Sequence, residues 1–268
     1  MSNETREVSE FDAFPIELYQ FEFGINRYFF TSADEDKTAN NILYKHYNIK
    51  RSAVEQGQDV ARSPITLTVS RNIPFLDNFR ASPPTSIIML KVFRYHEGER
   101  VSIPLWIGRV LNVKFTEHEA EIKGEPVFTS IKRPALRRRY QTTCPLVLYG
   151  GQCRLNKDNF CLTLSGVQVL DAVNITHPSF VAPNVSYGGG FLEYEYDGTT
   201  ERRFIQYQEG AKLRLNLPLR GYTGQTMKVY QGCNHSLKTC DEQFHNADNY
   251  GGQPFYPPKN PVSGTQIF

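Results

Sequence analysis

The chain has no apolar run approaching the roughly 18 to 20 residues that a membrane-crossing helix needs. Its first residues, "MSNETREVSEFDAFP", have neither the basic start nor the apolar core of a secretory signal. The expected setting is therefore a soluble protein made in the cytoplasm, where thiols stay reduced. Without a secretory signal, the Asn-x-Ser/Thr sequons at Asn174, Asn184 and Asn234 carry little meaning. Charge of one sign is lacking too: 30 basic residues stand against 28 acidic ones, a net +2, so no global field drives the chain onto nucleic acid or membrane. The phosphate-loop pattern G-x-x-x-x-G-K-[ST], the zinc-protease pattern H-E-x-x-H and the nucleophile elbow G-x-S-x-G are all missing. "HEGER" and "HEAEI" begin like the zinc pattern but have no second His. There is no internal repeat or low-complexity tract.

Aromatics are plentiful, with 18 Phe and 15 Tyr, and these favour strands. "PITLTVS" alternates with Ile65, Leu67 and Val69 on one face and Thr66, Thr68 and Ser70 on the other, the period of a half-buried strand. "SIIMLKVFRY" (86–95), "LWIGRVLNVKF" (105–115) and "EAEIKGEPVF" read the same way. "IELYQFEFG" and "RYFFTS" flank Gly24-Ile25-Asn26, which predicts a hairpin. No segment in this half has a sustained 3.6 period, and breakers such as "IPFLDNFRASPPTS" separate the strands. The expected class is all-β. Residues 1–10 form a flexible start, and 11–132 a β-barrel or sandwich.

The arginine-rich stretch "IKRPALRRRYQTTC" (131–144) marks the junction to a second domain, 133–268. "FCLTLSGVQVL" (160–170), "FLEYEY" (191–196), "RRFIQY" (202–207), "KLRLNL" (212–217) and "MKVYQG" (227–232) predict further strands, with turns at "YDGTT", "QEGA" and "PLRGYTG". The acidic residues Glu193, Glu195 and Asp197 of one strand read as an exposed acidic edge. From Asn246 onward, prolines and weak periodicity predict an extended tail that gains order by docking.

The five cysteines fall into two pairs and a singleton. Cys144 and Cys153 form a C-x8-C pair, and Cys233 and Cys240 a C-x6-C pair, each beside glycines that let the backbone aim a thiolate. Between the pairs, residues 154–232 read as a small β insertion. If all four sulfurs meet one centre, that centre closes the insertion and removes unfolded-state entropy. Soft thiolates select zinc or iron–sulfur clusters. The spacings are loose for a zinc knuckle and suit a larger body better, but spacing alone does not choose. Buried reduced cysteines and disulfides remain as alternatives. Leu237, Cys240 and Phe244 fall on one face of a predicted short helix capped by Ser236 or Asn234, so Leu237 and Phe244 are candidates to shield a cluster. Arg137, Arg138 and Arg139 are candidates to balance its negative charge or to form an interface. Cys161 reads as a small packed or half-exposed strand residue, and His235 and His245 as hydrogen-bonding or solvent-facing residues rather than ligands.

Three stretches, in order, resemble a group of tailed-phage and gene-transfer-agent tail-tip (baseplate hub) proteins. They are "PVFTSIKRPALRRRYQTTCPLVLYGGQCRLN" (126–156), "GGGFLEYEYDGTTERRFI" (188–205) and "GCNHSLKTCDEQFHNADNYGGQPFYPPKNP" (232–261). The four-cysteine pattern is also similar to that of the lambda tail-tip protein L. The first half is similar more loosely, through "FPIELYQFEFG" and "SPITLTVSRNIP". The family's aromatic-rich "GGFP" stands here as "GGQPF", with Gln253 in place of a large apolar residue.

The resemblance implies an all-β virion structural protein at the tail tip, assembled as a ring, expected to be a homotrimer. It implies the distal tail protein and the central tip or fibre protein as neighbours, and contact with the tape-measure protein. It also implies a 4Fe–4S cluster on Cys144, Cys153, Cys233 and Cys240, with zinc as the alternative metal. The hub reading predicts no enzymatic activity and no small-molecule substrate. A tail-associated cysteine hydrolase, pairing Cys161 with His177 or His118, is the competing class, and no motif supports it. The basic run from Lys132 to Arg139 lacks interleaved aromatics apart from Tyr140, so DNA is expected to touch it at most transiently in the tail lumen.

Overall fold

The computed structural model describes residues 15–54, 63–96, 102–132 and 140–255. The expected flexible start, the arginines 137–139 and the tail beyond 255 lie outside the described residues. The chain divides into two compact units, Met1–Pro134 and Ala135–Phe268. Both are β-rich, in keeping with the all-β expectation.

In the first unit the strands are β1 (Pro15–Phe23), β2 (Asn26–Thr31), β3 (Lys37–Ala39), β4 (Ile42–His46), β5 (Ile49–Arg51), β6 (Ile65–Ser70), β7 (Ile88–His96), β8 (Ile103–Phe115) and β9 (Glu119–Pro126). Among the described residues they form one sheet in the order β3-β4-β2-β1-β7-β8-β9-β6-β5. β4, next to one end of that order, leads into β5 at the other end through Tyr47 and Asn48 alone. Tyr47 N–H donates to Thr31 O (3.1 Å) and Ser70 N–H to Asn48 O (3.2 Å), which curls the sheet round on itself. Across this closure, Arg51 of β5 pairs with Glu17 of β1 at 2.6 Å.

The inward faces follow the alternation of the sequence. Ile65, Leu67 and Val69 of β6 are buried, as are Tyr19, Phe21 and Phe23 of β1. The predicted hairpin is present: Phe23 pairs with Asn26, and Gly24, at φ 58°, takes the first central position, where a type II′ turn requires it. Trp106 lies over Gly108 and Gly124, where an added Cβ would come within 2.3 and 2.8 Å of its ring. Its Nε1–H donates to Ser63 O (2.9 Å).

One stretch read as a breaker does more than break. Pro74–Leu76 and the single turn α1 (Asp77–Arg80) cap the interior, with Ile73, Phe75 and Leu76 fully buried and Phe75 stacked on Phe21 at 4.2 Å. Three apolar residues beside a Pro have no strand period, and tertiary packing alone gives them a place in the core.

In the second unit the strands are β10 (Cys161–Leu164), β11 (Gln168–Val169), β12 (Asn174–Thr176), β13 (Phe191–Tyr196), β14 (Thr199–Glu209), β15 (Lys212–Leu215) and β16 (Met227–Tyr230). Their order is β10-β16-β13-β14-β15-β12-β11. The β13–β14 turn has Asp197 and Gly198 both at positive φ (50° and 67°), the type I′ geometry that "YDGTT" predicts. One face of the sheet carries the apolar core of Leu192, Tyr194, Ile205, Leu213, Met227 and Val229.

β13 is an interior strand between β16 and β14, which corrects the reading of an exposed acidic edge. Glu193 is largely buried, accepts from Tyr230 OH (2.8 Å) and Arg202 Nε–H (2.9 Å), and pairs with Lys157 at 3.3 Å. Alternation along one strand reports which face a residue takes, and it does not report how many neighbours the strand has.

Candidate metal centre

Cys144, Cys153, Cys233 and Cys240 line one cavity of the second unit. Cys144 and Cys153 belong to an irregular loop before β10, Cys233 follows β16, and Cys240 lies in α2 (Leu237–Glu242). Ser236 is the N-cap and its side chain accepts from Thr239 N–H (3.2 Å), while Asn234 Oδ1 accepts from Ser236 N–H (2.9 Å). The helix ends where His245 takes φ 49° and Asn246 N–H reaches back to Cys240 O (2.9 Å).

The segments that carry the cysteines are tied to one another mainly by backbone. Cys144 N–H donates to His235 O (2.8 Å) and Gln253 N–H to Gln141 O (2.8 Å). Tyr250 OH donates to Thr142 O (2.7 Å). The glycines set close approaches here. A Cβ on Gly232 would lie 2.0 Å from Gly188 O, and one on Gly189 2.8 Å from Cys233 O. Gly151 has open space, with nothing within 4 Å.

Of the two residues expected to shield the centre, Phe244 lines the cavity. Leu237 is half-buried and is not among the lining residues. Leu146, Leu148 and Leu155 supply the rest of the apolar wall, and the sequence reading missed them because they sit in a turn-rich loop without a period. Behind Phe244, the ring of Tyr149 contacts Phe160, Phe191, Tyr230 and Phe244 at centroid distances of 6.1 to 6.4 Å. Its hydroxyl donates to Gln231 O (2.8 Å). His235 lines the cavity, His245 is exposed, and Cys161 lies apart on β10.

Polar hydrogens point at three of the sulfurs. His235 N–H donates to Cys233 Sγ (3.3 Å), Gly251 N–H to Cys144 Sγ (3.4 Å) and Asn246 Nδ2–H to Cys153 Sγ (3.9 Å). The fourth thiol, Cys240 Sγ–H, donates to Asn246 O (3.3 Å). Burial first, and then the sulfurs of Cys233, Cys144 and Cys153 and the Asp241 carboxylate, push the Cys240 thiol up to about 11. Burial also raises Cys233, with the His235 N–H opposing it and Cys144 and Cys153 adding to it. Four thiolates cannot share an apolar cavity without a cation, and a soft cation turns their repulsion into ligation. The donor set and apolar wall fit a thiolate-bound metal group. Among the described residues, however, no three His, Cys, Asp or Glu side chains are grouped as holding a single metal ion requires.

A family model described as "Phage conserved hypothetical protein BR0599" matches residues 186–260, the segment that carries Gly188–Gly190, Cys233 and Cys240 but not Cys144 or Cys153. A chain in the solved structure titled "Virion of native gene transfer agent (GTA) particle" is similar with a TM-score of 0.77 and 17% identity. That similarity covers 99% of this chain and 96% of the other, and at this identity it establishes a shared fold. No curated protein matches the chain.

Proposed function

We propose that the chain is a virion structural protein of the phage and gene-transfer-agent type, serving as a tail-tip hub. Its second unit is stapled by a 4Fe–4S cluster on Cys144, Cys153, Cys233 and Cys240. The observation that carries the reading is a fold shared with a virion chain across almost the full length of both partners. A phage family model over the segment holding Cys233 and Cys240 supports it. The resemblance of the three sequence stretches extends it to the tail tip, to a homotrimeric ring, and to contacts with the distal tail, central tip or fibre and tape-measure proteins. DNA passes its lumen at most transiently. The role is structural and not catalytic.

A cluster is preferred to zinc because the resemblance of the three sequence stretches implies one, and the four thiols line a shared apolar cavity that could receive it. Bound there, the group supplies a cross-link between the two cysteine pairs. It closes the intervening loop at a gain of a few kcal/mol, on the order of a long-loop crosslink.

Protein purified without oxygen is expected to be brown, with about four irons per chain as a 4Fe–4S centre requires. Changing any one of the four cysteines to Ser is expected to remove the colour and most of the solubility, whereas Cys161→Ser keeps both. A colourless protein with one zinc would replace the cluster by a structural zinc site. Mass spectrometry of purified particles tests the hub, and absence of the chain from tails would overturn it. Cell-wall lysis that depends on Cys161 would favour the hydrolase.

A further inference from the structure

Asn246 touches both halves of the cysteine constellation. Its Nδ2–H donates to Cys153 O (2.8 Å) and faces Cys153 Sγ (3.9 Å), across 93 residues of sequence. Its backbone N–H donates to Cys240 O (2.9 Å), and its carbonyl accepts from Cys240 Sγ–H (3.3 Å). The residue is buried and lines the cavity. Asn249 Nδ2–H donates to Asn246 Oδ1 (2.7 Å), which fixes the amide so that its nitrogen faces Cys153. The left-handed turn at His245 delivers Asn246 to this place. No hydrophobic side chain of this size could bridge a carbonyl and a sulfur, and a carboxylate would repel both.

We infer that Asn246 is a positioning residue that holds Cys153 and Cys240, one thiol from each pair, at their shared cavity before a metal arrives. The inference rests on the reading of the four cysteines as ligands of one centre. Groups behind metal ligands commonly alter affinity by about 10- to 100-fold when removed. Asn246→Asp keeps the size and the acceptor for Asn249 while losing both Nδ2 hydrogens. Asn249→Ala leaves Asn246 intact and frees its amide to rotate, so a smaller effect of the same sign is expected.

The decisive measurement uses the full chain freed of metal. Alkylation of each cysteine by iodoacetamide is followed by mass spectrometry. In Asn246→Leu, which loses the Nδ2 hydrogens without adding a charge, Cys153 and Cys240 are expected to react about tenfold faster or more, with Cys161 unchanged. In Asn246→Asp the added carboxylate opposes this by keeping the thiols protonated. Unchanged rates at Cys153 and Cys240 in both Asn246→Leu and Asn249→Ala would overturn the inference. So would an equal acceleration at Cys161, which would mean that the whole unit had loosened. In metal-loaded protein, Asn246→Asp is expected to release metal to a chelator about tenfold faster. An iron–sulfur centre in that variant should have a more negative reduction potential, since an N–H donor is replaced by negative charge. If the unmodified protein takes up no metal, the ligand reading falls, and the alkylation rates still decide the role of Asn246.

Discussion

Phe21 stacks on Phe75 in a first-unit core that also buries Tyr19 and Phe23, inside a sheet curled round through Tyr47 and Asn48. In the second unit the largest fully buried side chain is Arg203, and it bonds a buried carboxylate, Glu201, at 3.0 Å. Glu201 also takes Arg220 at 3.1 Å, and Arg220 N–H donates to Tyr194 OH (2.7 Å). Beyond that sheet, the cysteine loops rest on an aromatic group, backbone bonds and the thiols themselves. One unit secures its interior by closure and apolar area, which is non-directional. The other uses directional contacts, which stabilise only when each partner is in place. Directional contacts are also what a site for a specific inorganic group demands.

The sharpest way to break this comparison is to damage each interior in its own terms. Phe75→Ala deletes a ring stacked on Phe21 and edge-on to Phe79 and should cost the first unit about 3–5 kcal/mol. Glu201→Gln removes the carboxylate that both guanidiniums bond, and a loss of about 3–5 kcal/mol is expected in the second unit. Amide hydrogen exchange separates the two outcomes: β1 and β7 lose protection in the first variant, β13 and β14 in the second. If Glu201→Gln leaves β13 and β14 protected, the buried ions are not what secures that sheet.

A smaller effect distinguishes two glycines that look alike in sequence, each close to a cysteine. Gly232→Ala drives a Cβ to 2.0 Å from Gly188 O, an overpacking expected to cost about 1–3 kcal/mol and to shift Cys233. Gly151→Ala meets nothing within 4 Å and should be close to neutral in thermal unfolding. Equal melting temperatures for the two variants would mean that the 188–190 and 232 backbones can separate at little cost.

Much of the fold was legible because strand alternation and turn chemistry are local. Ile65, Leu67 and Val69 face inward as their spacing requires, and Gly24 and Asp197-Gly198 turn where their conformational preferences direct. The division of the cysteines into two pairs and Cys161 was equally visible. What stayed hidden was set by contacts distant in sequence. Phe75 and Leu76 follow a Pro in an aperiodic stretch, yet they plug the first unit. Leu146, Leu148 and Leu155 wall the thiol cavity from a loop that no helix or strand pattern describes. The bridging role of Asn246 depends on Cys153, far away in the chain, so nothing in "FHNADNYGG" could announce it. Glycine next to cysteine suggested flexibility, whereas at Gly232 the need is for absence of volume.

Glu193 gives the finest test, because it is a charged residue that the sheet nearly buries. Burial pushes its carboxyl up, but hydrogen bonds from Arg202 and Tyr230 and the charges of Arg202 and Lys157 outweigh that and hold it below its ordinary value of 4.5. A carboxylate with a depressed folded-state value binds its proton more readily in the unfolded chain. Its contribution is therefore complete above about 4.5, the ordinary value, and fades as pH falls towards and through the lower folded value. Thermal unfolding of the second unit should lose stability over that acid range. In Glu193→Gln this part of the pH dependence should disappear, while the acid response of the first unit is unchanged. An identical acid slope in the two proteins would mean that Lys157, Arg202 and Tyr230 are satisfied as well by solvent as by Glu193. The network would then be a feature of the surface, and the directional character of the second unit would rest on Glu201 and the cysteine loops alone.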